Sequence, residues 1–127
     1  RWPDLEGWKA DLVNVLAAEG VEGQTRLWDF TGYAGPPSEP VPPPGDVTAR
    51  MNYFVENSHC TPVLGALMLD AMFGAPGANQ CGVPLSRSNL TAHLSRILAD
   101  RTVYARTNAA DIQWVQRLLS EAATPHK

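Results

Sequence analysis

The sequence predicts an α/β fold that is mostly helical and has one or a few parallel strands. Three observations carry this prediction: an amphipathic helical pattern near the start, a short alternating segment directly after it, and three further helical patterns. A helix followed by a strand is half of a βαβ unit, which builds parallel sheets. With 127 residues and 44% apolar side chains, the chain has the size and composition of one domain.

The first helix is predicted over residues 4–19, where apolar side chains recur at helical spacing. Gly20 is placed to end it. The strand is predicted over residues 25–30, with Leu27 and Phe30 near a buried edge. Because this strand follows a helix directly, we expect it to lie in a parallel sheet.

Residues 31–46 contain six prolines, which exclude a helix or a central strand. Long ordered loops often border active sites. Aromatic residues flank this loop on both sides: Trp28, Phe30, Tyr33, Tyr53 and Phe54. For this reason we expect the loop to pack over the core and not to serve as a linker.

The second half of the chain is predicted to be helical over residues 62–73, with Gly74 as the end of the helix, and to form a loop over 75–85. A third pattern covers about residues 86–106. Asn108 is placed to cap a last helix that ends near residue 122.

Charge and cysteine content exclude several classes of protein. The net charge of −3 provides no basic field for nucleic acid, and no apolar run is long enough to span a membrane. A disulfide between Cys60 and Cys81 would close a loop of about 20 residues and contribute roughly 3 kcal/mol. Two buried thiols fit the sequence equally well. Two cysteines are too few for a disulfide scaffold or a zinc ribbon. We expect no metal and no cofactor.

An acidic residue three positions before a histidine is the most informative local feature. On a turn, Glu56 and His59 would lie on the same side, so that the carboxylate could orient the ring and stabilise the imidazolium. Such a histidine can deprotonate a serine hydroxyl. The structural alternative is a surface turn in which Ser58 or Thr61 caps the next helix. The spacing also occurs in di-iron proteins, but no second Glu-x-x-His is present.

The stretch Glu56-Asn-Ser-His59, followed by Leu64-Gly65 and an apolar helix, resembles the last conserved block of the SGNH (GDSL-like) hydrolase and acyltransferase superfamily. Trp28-Asp-Phe-Thr-Gly-Tyr33 and Glu39-Pro-Val-Pro are similar to the strand and loop before this block in membrane-anchored bacterial members that resemble acyltransferases of envelope polysaccharide. The resemblance covers roughly residues 4–75. Residues 86–122 would be two appended helices.

This resemblance implies that residues 1–127 form one partial domain, the C-terminal part of a three-layer α/β/α fold. It implies a serine esterase or O-acyltransferase with an acyl-serine intermediate, in which His59 is the general base and Glu56 orients it. The substrate would be an acyl ester, with an envelope polysaccharide as the implied partner. The location would be extracytoplasmic, with a membrane anchor in a missing N-terminal segment.

Two departures from the family pattern matter. The family usually has aspartate where this chain has Glu56; Asp29 could supply that carboxylate, although a strand-end cap explains Asp29 better. Nothing in residues 1–55 matches the serine block. Since the chain begins with Arg1 and not Met, we expect a piece of a longer protein that is inactive alone. The alternative is a non-catalytic helical interaction module.

The remaining histidines are predicted to have no function. His93 is expected to be an exposed or half-buried residue on a helix, and His126 an incidental residue of the tail. Asn89-Leu-Thr91 fits the glycosylation pattern, which we interpret as chance because it opens a helix.

Overall fold

The computed structural model describes residues 2–21, 24–43, 45–46, 48–56, 59–74 and 81–123. These residues are mostly helical, with one small sheet. The elements in chain order are α1 (Trp2–Ala18), β1 (Leu27–Asp29), a 3₁₀ turn (Pro36–Ser38), α2 (Pro62–Phe73), β2 (Val83–Leu85), α3 (Leu90–Thr107) and α4 (Ala109–Ala122). None of the described helices is long and apolar enough to cross a membrane.

The four predicted helices are confirmed, and α2 has the predicted bounds. Its first turn is capped by Thr61, whose hydroxyl accepts a hydrogen bond from the Leu64 N–H at 3.5 Å. At its other end the Gly74 N–H donates to the Asp70 carbonyl at 2.8 Å. Asn108 is the N-cap residue of α4, as predicted, but its side chain donates to the Tyr104 carbonyl and makes no cap hydrogen bond to α4.

The prediction of parallel strands is wrong. β1 is present, but it pairs antiparallel with β2, with Leu27 opposite Leu85 and Asp29 opposite Val83. β2 lies within the segment predicted as a loop. The strand is only three residues long and has Pro84 at its centre, so the sequence pattern did not indicate a strand there. A helix followed by a strand indicates how that one strand runs, but it does not indicate the direction of the strand that pairs with it. Here the pairing strand, β2, runs in the opposite direction to β1.

The described part of the chain has a small core. Its buried apolar residues are Val13, Leu64, Cys81, Leu85 and Ile97. Large apolar side chains remain exposed on several helices; Phe73 on α2, for example, is 81% exposed. Such exposed apolar surface is typical of a body that packs against another one.

Gly82, directly before β2, has a backbone conformation and a close contact that favour glycine. Its φ is +80°, and a Cβ there would lie 2.5 Å from the Phe30 ring. We expect Gly82→Ala to lower the free energy of unfolding by about 1–3 kcal/mol because of backbone strain and this clash. Gly7→Ala is the matched control: a Cβ at this position in α1 meets no atom within 4 Å, and the change should stabilise by about 0.5–1 kcal/mol. Urea unfolding measures both, and equal effects would contradict the prediction.

Candidate functional site

A tight turn brings the two predicted catalytic residues together. Phe54 and Cys60 form an antiparallel bridge, and inside it the Val55 N–H donates to the His59 carbonyl at 2.9 Å. The Glu56 carboxylate contacts Nδ1 of His59. The intervening residues 57–58, which include the alternative cap Ser58, lie outside the described residues.

This contact has a chemical consequence. When Nδ1 carries the proton that it donates to Glu56, Nε2 is the ring atom that can accept a proton. The His59 side chain is 78% exposed and that of Glu56 46% exposed. The pair therefore stands at the surface, where a group from another body could reach the imidazole.

The proline-rich loop fastens the turn to the rest of the chain. The Glu39 carboxylate accepts hydrogen bonds from the backbone N–H groups of Asn52 and Tyr53, the latter at 2.8 Å. On the other strand of the turn, the Thr61 hydroxyl donates to the Asn52 carbonyl at 2.6 Å. The segment directly before the Glu56–His59 pair is thus hydrogen-bonded on one side to Glu39 and on the other side to Thr61.

A second acidic residue and histidine meet in the interior. Oδ2 of Asp29 lies 2.6 Å from Lys9 Nζ and 2.8 Å from His93 Nε2, and all three side chains are at most 7% exposed. Oδ1 of Asp29 accepts from the Thr31 N–H at 2.9 Å and the Thr31 hydroxyl at 2.7 Å. We call Lys9, Asp29 and His93 the buried polar cluster; Thr31 is an exposed residue that hydrogen-bonds to it.

The buried polar cluster corrects the expectation for His93, which is buried and not exposed. The strand-end cap at Asp29 is confirmed by its bond to Thr31, but the ion pair with Lys9 was not predicted. A signal existed in the sequence: Lys9 and His93 each stand four residues before a buried apolar residue, Val13 and Ile97 respectively. Each therefore lies on the buried face of its helix.

The hydrogen bonds of the cluster set the pKa of Asp29. Burial by itself raises the pKa of this carboxyl. The hydrogen bonds from Lys9, His93 and Thr31 outweigh burial and leave the pKa below its ordinary value. Asp29 is therefore charged at neutral pH.

A cleft of about 400 Å³ opens beside the cluster. Its lining includes Asp29, Thr31, Tyr33, Tyr53, His93 and Arg96. Neither Glu56 nor His59 lines this cleft, but Tyr53 belongs to both the cleft wall and the strand that enters the turn. The structure therefore does not join Asp29 to His59, as the alternative assignment of the family carboxylate would require.

The sequence left two alternatives for the cysteines, a disulfide or two buried thiols, and the structure matches neither completely. Cys60 and Cys81 do not form a disulfide with each other; Cys60 is exposed and Cys81 is buried, and this burial raises the pKa of the Cys81 thiol. Within the described ranges, no group of three or more histidine, cysteine, aspartate or glutamate residues is arranged to hold a metal ion. His126 lies outside those ranges.

Comparisons with protein families, curated proteins and solved structures gave no match to this chain. Its function is therefore argued from the geometry and from the short motif around His59.

Proposed function

We propose that this chain is the C-terminal part of a serine esterase or O-acyltransferase and supplies its general base. The observation that supports the proposal is the contact between Glu56 and His59 on a bridged turn directly before α2. A carboxylate at one ring nitrogen is the arrangement that a general-base histidine needs.

In this mechanism Nε2 of His59 takes the proton of a serine hydroxyl as the serine oxygen attacks the acyl carbonyl. The imidazolium, stabilised by Glu56, then gives the proton to the departing alkoxide. Water or a hydroxyl group of the acceptor next attacks the carbonyl of the acyl-serine while His59 takes its proton. The bond to the serine oxygen then breaks, and the imidazolium returns the proton to that oxygen. The serine belongs to sequence outside these 127 residues, and the exposed imidazole leaves it room to approach.

The proposal includes a larger fold and a location. The two-stranded sheet would extend into a three-layer α/β/α domain, and the large apolar side chains that the described helices leave exposed support a missing layer. By resemblance, the complete protein would be extracytoplasmic and anchored through an N-terminal segment, and it would act on acyl esters of an envelope polysaccharide.

A second candidate function is that of a non-catalytic interaction module. It is favoured by the apolar side chains that α4 leaves 41–66% exposed: Trp114, Val115, Leu118 and Leu119. Under this alternative, the Glu56–His59 contact would only stabilise a surface turn. Activity measurements separate the two candidates.

Glu56→Gln tests the proposal, because glutamine keeps the shape but cannot stabilise the imidazolium by charge. We expect kcat for hydrolysis of p-nitrophenyl acetate by the complete polypeptide to fall about 100-fold. Glu19→Gln, at an exposed position after α1, is the matched control and should leave kcat unchanged. Equal rates for both variants would reject the role of Glu56, and absence of any turnover in the unmodified protein would favour the interaction module.

A further inference from the structure

Glu39 joins the proline-rich loop to the segment that precedes the turn of His59. Its two carboxylate oxygens accept separate hydrogen bonds, Oε1 from the Asn52 N–H and Oε2 from the Tyr53 N–H. These partners stand 13 and 14 residues later in the chain. Hydrogen bonds to an ionised carboxylate are roughly twice as strong as those between neutral groups. Glu39 therefore holds the backbone of a segment that is distant from it in sequence.

We propose that Glu39 is a positioning residue for the general base, a role that rests on the proposed function of His59. Glu39 acts through the backbone and not on the reacting atoms. By holding residues 52 and 53, its carboxylate sets the place of the turn, and the turn sets the direction in which Nε2 of His59 faces the serine.

The residues around Glu39 leave its backbone little freedom. A 3₁₀ turn ends at Glu39, whose N–H donates to the Pro36 carbonyl at 3.1 Å. The hydroxyl and the N–H of Ser38 both donate to the Gly35 carbonyl, at 2.8 and 3.0 Å. Pro40 follows and favours the extended conformation that Glu39 has, with φ −57° and ψ 132°. The loop therefore presents the carboxylate from a rigid support, which lowers the entropy cost of holding the two N–H groups.

Backbone hydrogen bonds connect the residues held by Glu39 to His59. The Tyr53 carbonyl accepts from the Thr61 N–H at 2.9 Å, and the Val55 N–H donates to the His59 carbonyl at 2.9 Å. Both bonds join the two strands of the turn, so a shift of residue 53 also displaces the strand that carries His59. A displacement of about 1 Å at a catalytic group can lower a rate about 100-fold.

The turn keeps other hydrogen bonds when the carboxylate of Glu39 is lost. The Thr61 hydroxyl donates to the Asn52 carbonyl at 2.6 Å, and the bridge between Phe54 and Cys60 does not involve Glu39. Glu39 is half-buried and does not belong to the small apolar core. Its replacement should therefore loosen the turn without unfolding the chain.

Glu39→Gln in the complete polypeptide tests this role, because glutamine keeps the size of the side chain but turns an NH₂ group toward one of the two N–H donors. We expect kcat for p-nitrophenyl acetate to fall about 10-fold, with KM changed less than about twofold. Hydrogen exchange at the Asn52 and Tyr53 amides should become about 10-fold faster. The ¹⁵N NMR signal of His59 Nδ1, which reports its hydrogen bond, should shift. Glu6→Gln, at a half-buried glutamate of α1, is the matched control and should change none of these quantities.

A merely structural role would lower the melting temperature of Glu39→Gln but leave kcat per folded molecule and the Nδ1 signal unchanged. That result overturns the positioning role, and so do equal effects in Glu6→Gln. Circular dichroism melting shows whether the variants are folded. If Glu39→Gln is unfolded, Glu39→Asp takes its place: it keeps the charge on a shorter side chain and should show smaller changes in the same direction, and no change there overturns the role.

His59→Ala separates the two proposals. Turnover that does not need His59, together with a shifted Nδ1 signal in Glu39→Gln, rejects only the proposed function. Turnover that needs His59, together with an unchanged kcat and Nδ1 signal in Glu39→Gln, rejects only the positioning role.

Discussion

Replacing His59 by alanine is expected to lower kcat/KM for ester turnover by about 10³-fold in the complete polypeptide. The change removes the group that accepts the serine proton, while the 78% exposed side chain contributes little to packing. Unfolding free energy should therefore change by less than about 0.5 kcal/mol. Steady-state hydrolysis of p-nitrophenyl acetate measures the first effect, and urea unfolding measures the second.

The exposed position of the ring permits a stricter test. Free imidazole added to the His59→Ala variant can enter the space that the side chain leaves and should restore part of the lost rate. His126→Ala, a change at a histidine outside the motif, is the matched control and should retain full turnover. Turnover of His59→Ala within threefold of the unmodified protein would end the assignment of His59 as general base.

Asp29→Asn should lower the free energy of unfolding by about 3–5 kcal/mol at neutral pH. The Asp29 side chain is 3% exposed and receives hydrogen bonds from Lys9 and His93, which come from α1 and α3. The neutral amide leaves the buried ammonium group of Lys9 without its counter-ion. This loss is a large share of the roughly 5–15 kcal/mol that stabilises a typical domain.

The control for this prediction is Asp11→Asn on the exposed face of α1, which should change stability by less than about 0.5 kcal/mol. A double variant, Lys9→Met with Asp29→Leu, should recover part of the loss, because no charge then remains unpaired. If Asp29→Asn unfolds like Asp11→Asn, the buried polar cluster does not hold these elements together.

The difference in stability between the unmodified protein and Asp29→Asn should also depend on pH. Because the folded-state pKa of Asp29 is lowered, its ionised form stabilises the fold above its unfolded pKa of about 3.9. That stability is lost as the pH falls through the lower folded-state pKa. The difference between the unmodified protein and Asp29→Asn should therefore be constant near neutral pH and shrink below about pH 4. A difference that does not change with pH would contradict this account.

The helices could be predicted because their signals are local. The apolar spacing, the cap at Thr61 and the stop at Gly74 lie within the segment that they define. The contact between Glu56 and His59 could be predicted for the same reason, since a separation of three residues on a turn is enough to bring the two side chains together. The strand β2 was missed because three residues with a central proline carry almost no strand signal; only pairing with β1 makes them a strand.

By itself, the sequence determined the helical content, the strand β1 and the contact of Glu56 with His59. Only the tertiary structure decided the antiparallel direction of the sheet, the burial of His93 and its meeting with Asp29, which stands 64 residues earlier in the chain. The physical reason is range: periodicity and capping act over a few residues. The partner of a buried charge, in contrast, depends on how distant elements pack, and one carboxylate here brings α1, β1 and α3 together.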